Sequence, residues 1–150
     1  MRLDGSCHCK RVRCAIETDL YTPFLWCHCA ICRKTAGSAF GCNIKGRRAD
    51  LEVLGAEHIR VYTAEHCQRH FCESCGSPLY ILDDRWPEGC WPSASAIDTP
   101  LPVPPRVVHM FTKSKASWFE IPPDAEQHAG YPALSIDEYH VKFGWPPRKA

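Results

Sequence analysis

RHFCESCGSPLY, residues 69–80, is the stretch on which the reading of this chain turns. Two cysteines separated by two residues can present both thiolates to one tetrahedral ion, with metal–sulfur bonds of about 2.3 Å and no backbone strain. Gly76, directly after the second cysteine, can take a positive φ and turn the chain around that ion. The competing reading of Cys-x-x-Cys is a redox pair at the start of a helix. Pro78 and the strand-like LYIL at 79–82 oppose it, because proline fixes φ and removes a backbone donor. The segment therefore reads as a metal knuckle running into a strand.

Working outward, two further clusters share this character: CHC, with Cys7 and Cys9, and CHCAIC, with Cys27, Cys29 and Cys32. Together the three clusters hold seven of the eleven cysteines, and zinc is the first candidate. Seven ligands do not fill two closed sites of four. One four-cysteine and one three-cysteine site would leave an ion with an open position, the usual difference between holding a fold and doing chemistry. Spacing alone does not choose which pairs join. The fourth position at Cys27, Cys29 and Cys32 could take water or a substrate thiol, or be closed by Cys14, Cys42, Cys67, Cys90 or a histidine.

On an extended Cys-x-Cys segment, residues i and i+2 share a face, so His8 and His28 are expected to point away from the metal as sheet-face or surface imidazoles. Arg33 and Lys34 follow the third thiolate of the second cluster. They could attract the carboxylates of an anionic substrate, Arg33 through a bidentate fork, or simply balance thiolate charge. Cys14, Cys42, Cys67 and Cys90 read as small buried apolar residues. Trp86, Trp91 and Trp118 read as packing residues, and Trp26 stands out by immediately preceding the second cluster.

Short apolar or alternating runs recur at 12–16, 24–27, 39–44, 51–54, 59–62, 79–82, 94–97 and 107–111, separated by glycine, proline and charged residues. That is the rhythm of an antiparallel sheet. Residues 30–37 could form a turn of helix, but no stretch sustains a helical apolar period for three turns. Six prolines between 86 and 105 confine strands there to short or edge positions. Residues 122–150 read as an extended proline-rich arm, packed on the domain or on a partner, and its PPRKA ending is expected to fray.

A chain of 150 residues fits one domain with a modest core that metal ions would supplement. Eighteen basic residues against seventeen acidic ones advertise neither a nucleic-acid nor a membrane surface. No secretory signal and no apolar run of about twenty residues is present, so no membrane span is expected. An odd number of cysteines in these clusters is a poor disulfide framework, so the thiols are expected to be reduced and metal-bound, in the cytoplasm.

The segments GSCHCKRVRC (5–14), WCHCAICRKTAGSAF (26–40), IRVYTAEHCQRHFCESCGSPLYIL (59–82), AIDTPLP (96–102) and VVHMFTKSKASWFEI (107–121), in that order, resemble the glutathione-dependent formaldehyde-activating enzyme family, also called Gfa or centromere-protein-V-like. The resemblance covers roughly residues 4–122 and rests on the cysteine framework. It implies a mainly β fold of the Mss4-like, or β-tent, zinc-binding type, with short strands and little helix. It divides the chain into a zinc-binding domain at 1–122 and a C-terminal arm of the same domain at 123–150. It further implies two zinc ions: a structural one on Cys7, Cys9, Cys72 and Cys75, and a second, catalytic one on Cys27, Cys29 and Cys32. Lys10 stands where the family usually has glycine, and Ala96 where a glycine commonly precedes the pair here formed by Ile97 and Asp98.

The activity the resemblance implies is a carbon–sulfur lyase type of reaction on a thiol adduct, joining formaldehyde to the glutathione thiol; Arg33 and Lys34, by their position beside the third thiolate, are the candidate substrate contacts. Two alternatives stand beside it. One is a noncatalytic zinc module that binds a protein or a small thiol. The other is a redox enzyme resembling zinc-containing methionine sulfoxide reductase, which would need a reactive thiol among Cys14, Cys42, Cys67 and Cys90. Homo-oligomerisation is left open by the sequence. Asp98 and His109 are acid–base candidates by chain position only.

Overall fold

The computed structural model describes residues 1–145; the PPRKA ending lies outside the described residues. Twelve short strands and two short helices make it mainly β, as the Mss4-like resemblance implies. In chain order the strands are β1 (Arg2–Ser6), β2 (Arg13–Glu17), β3 (Leu25–Cys27), β4 (Gly41–Cys42), β5 (Gly46–Arg47) and β6 (Leu51–Leu54). They continue with β7 (Ile59–Ala64), β8 (Cys67–Cys72), β9 (Pro78–Asp83), β10 (Gly89–Pro92), β11 (Val108–Met110) and β12 (Glu126–Gln127). The helices are α1 (Ala30–Ala36) and α2 (Ile136–Lys142).

The strands form three sheets, ordered β1-β2-β6, β5-β10-β9-β8-β7 and β12-β11-β3-β4. The first two are antiparallel throughout, whereas β11 runs parallel to both β3 and β12. Leu3, Ile16, Leu79, Leu82 and Cys90, contributed by β1, β2, β9 and β10, bury together in the main core with Val12 and Ile44. Cys7 and Cys72 belong to the same core, so the first cysteine cluster is part of the packing and not an appendage.

A second, smaller core fixes the end of the chain. Phe24, Val108 and Tyr139 are buried together, flanked by Leu134, Ile136, Phe143 and Trp145. The stretch read as an extended arm thus contains a helix. Its two turns are too short for the three-turn apolar period required of the sequence, and a local signal marks them instead. Ser135 and Glu138 form a capping box, in which each side chain bonds the other's backbone N–H. The Tyr139 hydroxyl donates to Glu126, which His128 also contacts at 2.9 Å, so α2 is tied to the β12 edge. Tyr139→Phe removes one charge-assisted bond and is expected to cost about 1.5 kcal/mol, read from urea denaturation of the metal-loaded protein.

The expected strand at 94–97 is instead a 3₁₀ turn, Ala94–Ala96, and the strand of that region is β10 just before it. The alanine–serine alternation carries too little apolar mass to hold a sheet face. Gly5 passes so close to this turn that a Cβ there would lie 2.5 Å from the Ala96 carbonyl oxygen. Strands β1 and β8 were not foreseen, because each is half polar and their pairing is decided by neighbours.

Candidate metal centres and an adjoining cleft

Two hairpins face each other at the first centre. Cys7 directly follows β1 and Cys9 sits in the turn toward β2; Cys72 ends β8 and Cys75 sits in the turn toward β9. Each turn closes on itself: the Cys7 N–H donates to Val12 O at 3.0 Å and the Val12 N–H to Cys7 Sγ at 3.3 Å, while the Cys72 N–H donates to Ser77 O at 3.0 Å. Each also needs a left-handed residue after its second cysteine. Gly76 supplies one with φ 72°, as expected, and Lys10 supplies the other with φ 62°.

A lysine in that region costs about 1 kcal/mol. Its side chain is held in compensation, donating to Ser6 Oγ at 2.7 Å and pairing with Asp98 at 3.5 Å. Asp98 also accepts from Ser6 at 2.5 Å, so it braces the first knuckle. At Gly76 a Cβ would meet nothing within 4 Å. Gly76→Ala is therefore expected to show the backbone cost alone, about 1 kcal/mol in urea denaturation.

The four sulfurs of Cys7, Cys9, Cys72 and Cys75 all lie within 4.8 Å of one another. Cys7 and Cys9 are 3.5 Å apart, and Cys9 and Cys72 3.7 Å. A tetrahedral ion with bonds of about 2.3 Å requires sulfur–sulfur edges of about 3.8 Å, so this group can hold a metal ion. The Ser77 hydroxyl, 3.2 Å from Cys75 Sγ, holds that thiol down at about 5. His8 is exposed and outside the cluster. It lies in a turn and not on an extended segment.

The second centre is built where β3 runs into α1. Cys27 closes β3, Cys29 is the N-cap of α1 and Cys32 is the helix's one buried residue. Cys29 caps as serine or aspartate would, its sulfur accepting from the Cys32 N–H at 3.3 Å. Hydrogen bonds from the Cys27 and Cys32 thiols, with these backbone contacts, hold Cys29 down to about 2, whereas Cys27 is pushed up by its contact with Cys29. The three sulfurs lie within 4.8 Å of one another, and among the described residues no fourth cysteine, histidine or carboxylate joins them.

Cys32 also lines a cleft of about 460 Å³ between α1–β4 and β8–β9, within the size range of small-molecule sites. Phe40, Tyr80 and Ile81 give it apolar walls, with Asn43 and Ser93 as polar groups. Arg33 is half-buried and Lys34 exposed, and neither is among the residues lining the cleft. The cation that lines it is Arg69, at 3.5 Å from Cys32 Sγ. Arg69 was not anticipated, because 37 residues separate it from Cys32 and only the placement of β8 beside α1 brings them together.

His28 is fully buried and not a surface imidazole. Its Nε2 lies 2.8 Å from His109 Nδ1, and Phe40 and Phe119 pack against its ring. Trp26 stacks on Phe40 at 4.0 Å between ring centroids. The candidate acid–base residue Asp98 stands at the first knuckle, away from the cleft, and His109 is enclosed in this aromatic packing. Of the four cysteines outside the clusters, Cys42 lines the cleft. Burial pushes the thiols of Cys14 and Cys67 up to about 11, and those of Cys42 and Cys90 up to about 12.

No helix among the described residues is long and apolar enough to cross a membrane. A sequence model described as glutathione-dependent formaldehyde-activating enzyme matches residues 2–114. A Halomonas elongata protein named "Putative glutathione-dependent formaldehyde-activating enzyme" is 44% identical over 153 residues, covering 96% of this chain and 98% of its own. In three dimensions, the crystal structure of a Rhodobacter sphaeroides protein aligns with a TM-score of 0.56 at 24% identity, over 66% of this chain and 91% of its own, which speaks to the fold alone. With its cysteine framework assembled in space and its sequence matched over nearly all of its length, this chain belongs to the glutathione-dependent formaldehyde-activating enzyme family.

Proposed function

We propose that this chain is a zinc-dependent enzyme of the carbon–sulfur lyase type that makes and breaks the adduct of formaldehyde with the glutathione thiol. The observation that carries the reading is the three-cysteine centre: three thiols gathered with no fourth protein ligand among the described residues, one of them opening on a cleft. An all-thiol donor set suits zinc. Cys7, Cys9, Cys72 and Cys75 would hold the structural ion, and Cys27, Cys29 and Cys32 the second. At the second site zinc would supply Lewis acidity and favour the thiolate form of a thiol placed there.

The remaining work falls to the chain. In the forward direction a carbon–sulfur bond forms, the carbonyl π bond opens, and the thiol proton ends on the new hydroxyl; the reverse direction returns both reactants. The cleft walls bring thiol and aldehyde together, which converts an encounter in solution into a reaction between neighbours. Asn43 and Ser93 offer hydrogen bonds to a peptide-like substrate, and Phe40, Tyr80 and Ile81 exclude water beside them. Clustered reduced thiols suit a reducing compartment, so we place the protein in the cytoplasm. The redox alternative finds no low-pKa thiol among Cys14, Cys42, Cys67 and Cys90, all of which are pushed upward.

The test is the exchange rate between formaldehyde plus glutathione and their adduct, followed by NMR with and without the zinc-loaded protein. Acceleration above the uncatalysed rate is expected. An unchanged rate at stoichiometric protein would return the chain to a thiol-binding role.

A further inference from the structure

Arg69 occupies the middle of β8, opposite Tyr62 of β7 and Ile81 of β9. Its side chain leaves the sheet toward α1. Nη2 lies 3.5 Å from Cys32 Sγ, and Nη1 donates to Thr35 Oγ1 at 3.4 Å. Thr35 is itself fixed, since its hydroxyl donates to Ile31 O at 2.8 Å. The planar guanidinium is therefore held at two points against one helix, with its charge beside a buried cysteine of the cluster. The guanidinium spreads that positive charge over a planar fork of donors.

Three thiolates around a divalent ion leave one net negative charge in a partly buried place. One cation beside the cluster cancels it, and a hydrogen bond to a ligating sulfur fixes the direction from which that sulfur binds. Arg69 meets both requirements through one side chain. Lys34 is exposed instead, and among the described residues Arg33, although half-buried on the same helix, donates no hydrogen bond to any of the three sulfurs.

We propose that Arg69 is the positioning residue of the three-cysteine centre: through its bond to Cys32 it orients that sulfur, balances the loaded cluster and sets its affinity for the ion. The inference rests on the reading that Cys27, Cys29 and Cys32 hold a metal. Strand β8 then serves both centres, ending in Cys72 at one and sending Arg69 to the other.

Cobalt(II) is the probe, because thiolate-to-cobalt charge-transfer absorption reports each centre without any turnover. Arg69→Gln is expected to weaken cobalt binding at the three-cysteine centre by about 10–100-fold and to shift its charge-transfer band. The four-cysteine centre should keep its ion and spectrum, which shows that β8 is still folded. Arg69→Lys should recover part of the affinity, and Thr35→Val should lose a smaller part in the same direction. Wild-type affinity and an unshifted band in Arg69→Gln would overturn the inference while leaving the proposed function standing. A wild-type protein that takes up one cobalt ion only, at the four-cysteine centre, would overturn both. If Arg69→Gln loses both ions, Arg69→Lys decides: weakening confined to the second centre supports the role, and wild-type binding at both centres overturns it.

Discussion

Cys27→Ser is expected to abolish the acceleration of formaldehyde–glutathione exchange while leaving the fold and one bound metal ion in place. Cys27 closes the short strand β3 and faces Cys29 and Cys32; it takes no part in the four-cysteine group. A serine hydroxyl keeps the size of the side chain but is a far poorer ligand for a soft ion. Two sulfurs remain, too few to retain zinc against water. Lewis-acid stabilisation of developing charge is worth several kcal/mol, so the rate should fall by about 100-fold or more. Circular dichroism and metal analysis separate the outcomes. An unchanged exchange rate in a variant carrying one ion would show that the second centre does not do the chemistry.

Cys72→Ser should act on the whole molecule. Cys72 is fully buried in the main core, and its sulfur belongs to the group that pins the β1–β2 hairpin to the β8–β9 hairpin. Structural zinc contributes about 10–16 kcal/mol of apparent binding free energy, comparable with or larger than the 5–15 kcal/mol by which a typical domain is stable. Removing one ligand from the closed site and leaving a hydroxyl in an apolar core is expected to give a protein that is unfolded or aggregated at neutral pH. The readout is loss of the cooperative unfolding transition. A variant that melts like the wild type would reduce the first centre to an ornament of the fold.

The contrast between these two substitutions follows from position. One cluster sits where two sheets meet, with Cys7 and Cys72 inside the core. The other sits on a single strand–helix turn at the edge of a cleft. The two cysteine pairs of the first lie more than sixty residues apart, as the Cys9–Cys72 contact shows, and so close a long loop. Those of the second lie within six residues and constrain almost nothing beyond α1.

Much of this was legible in the chain because thiol spacing is short-range chemistry. The clusters, the turn at Gly76 and the helix at 30–37 all declare themselves within a few residues. Which pairs join was not readable from spacing and had to come from resemblance, since the Cys7–Cys9 and Cys72–Cys75 knuckles meet only through the packing of two hairpins. The same limit hid Arg69. Its neighbour Cys32 is distant in sequence, whereas Arg33 and Lys34 are adjacent to the cluster; in a helix, adjacent side chains diverge by about 100°.

The histidines mark a second limit. His8 and His28 stand outside the clusters as expected, but His8 does so from a turn and not by strand alternation, and alternation carried no information about depth. His28 meets its partner His109 only because β3 and β11 lie side by side in parallel, an arrangement with no local signature. Strand β8 escaped notice for a related reason: Arg69 and His70 line a cleft, so its run of polar residues reads as loop. The helix α2 was announced only by its capping box, a weaker signal than an apolar period.

The central claim is that one centre is closed and the other has room for a substrate thiol. Cadmium-113 NMR of the protein loaded with two cadmium ions tests it most directly, because the resonance moves with the number of coordinating sulfurs. Two signals are expected, one of four-thiolate type that ignores added glutathione and one of three-thiolate type that shifts when glutathione is added. Two four-thiolate signals, or a three-thiolate signal indifferent to glutathione, would contradict it.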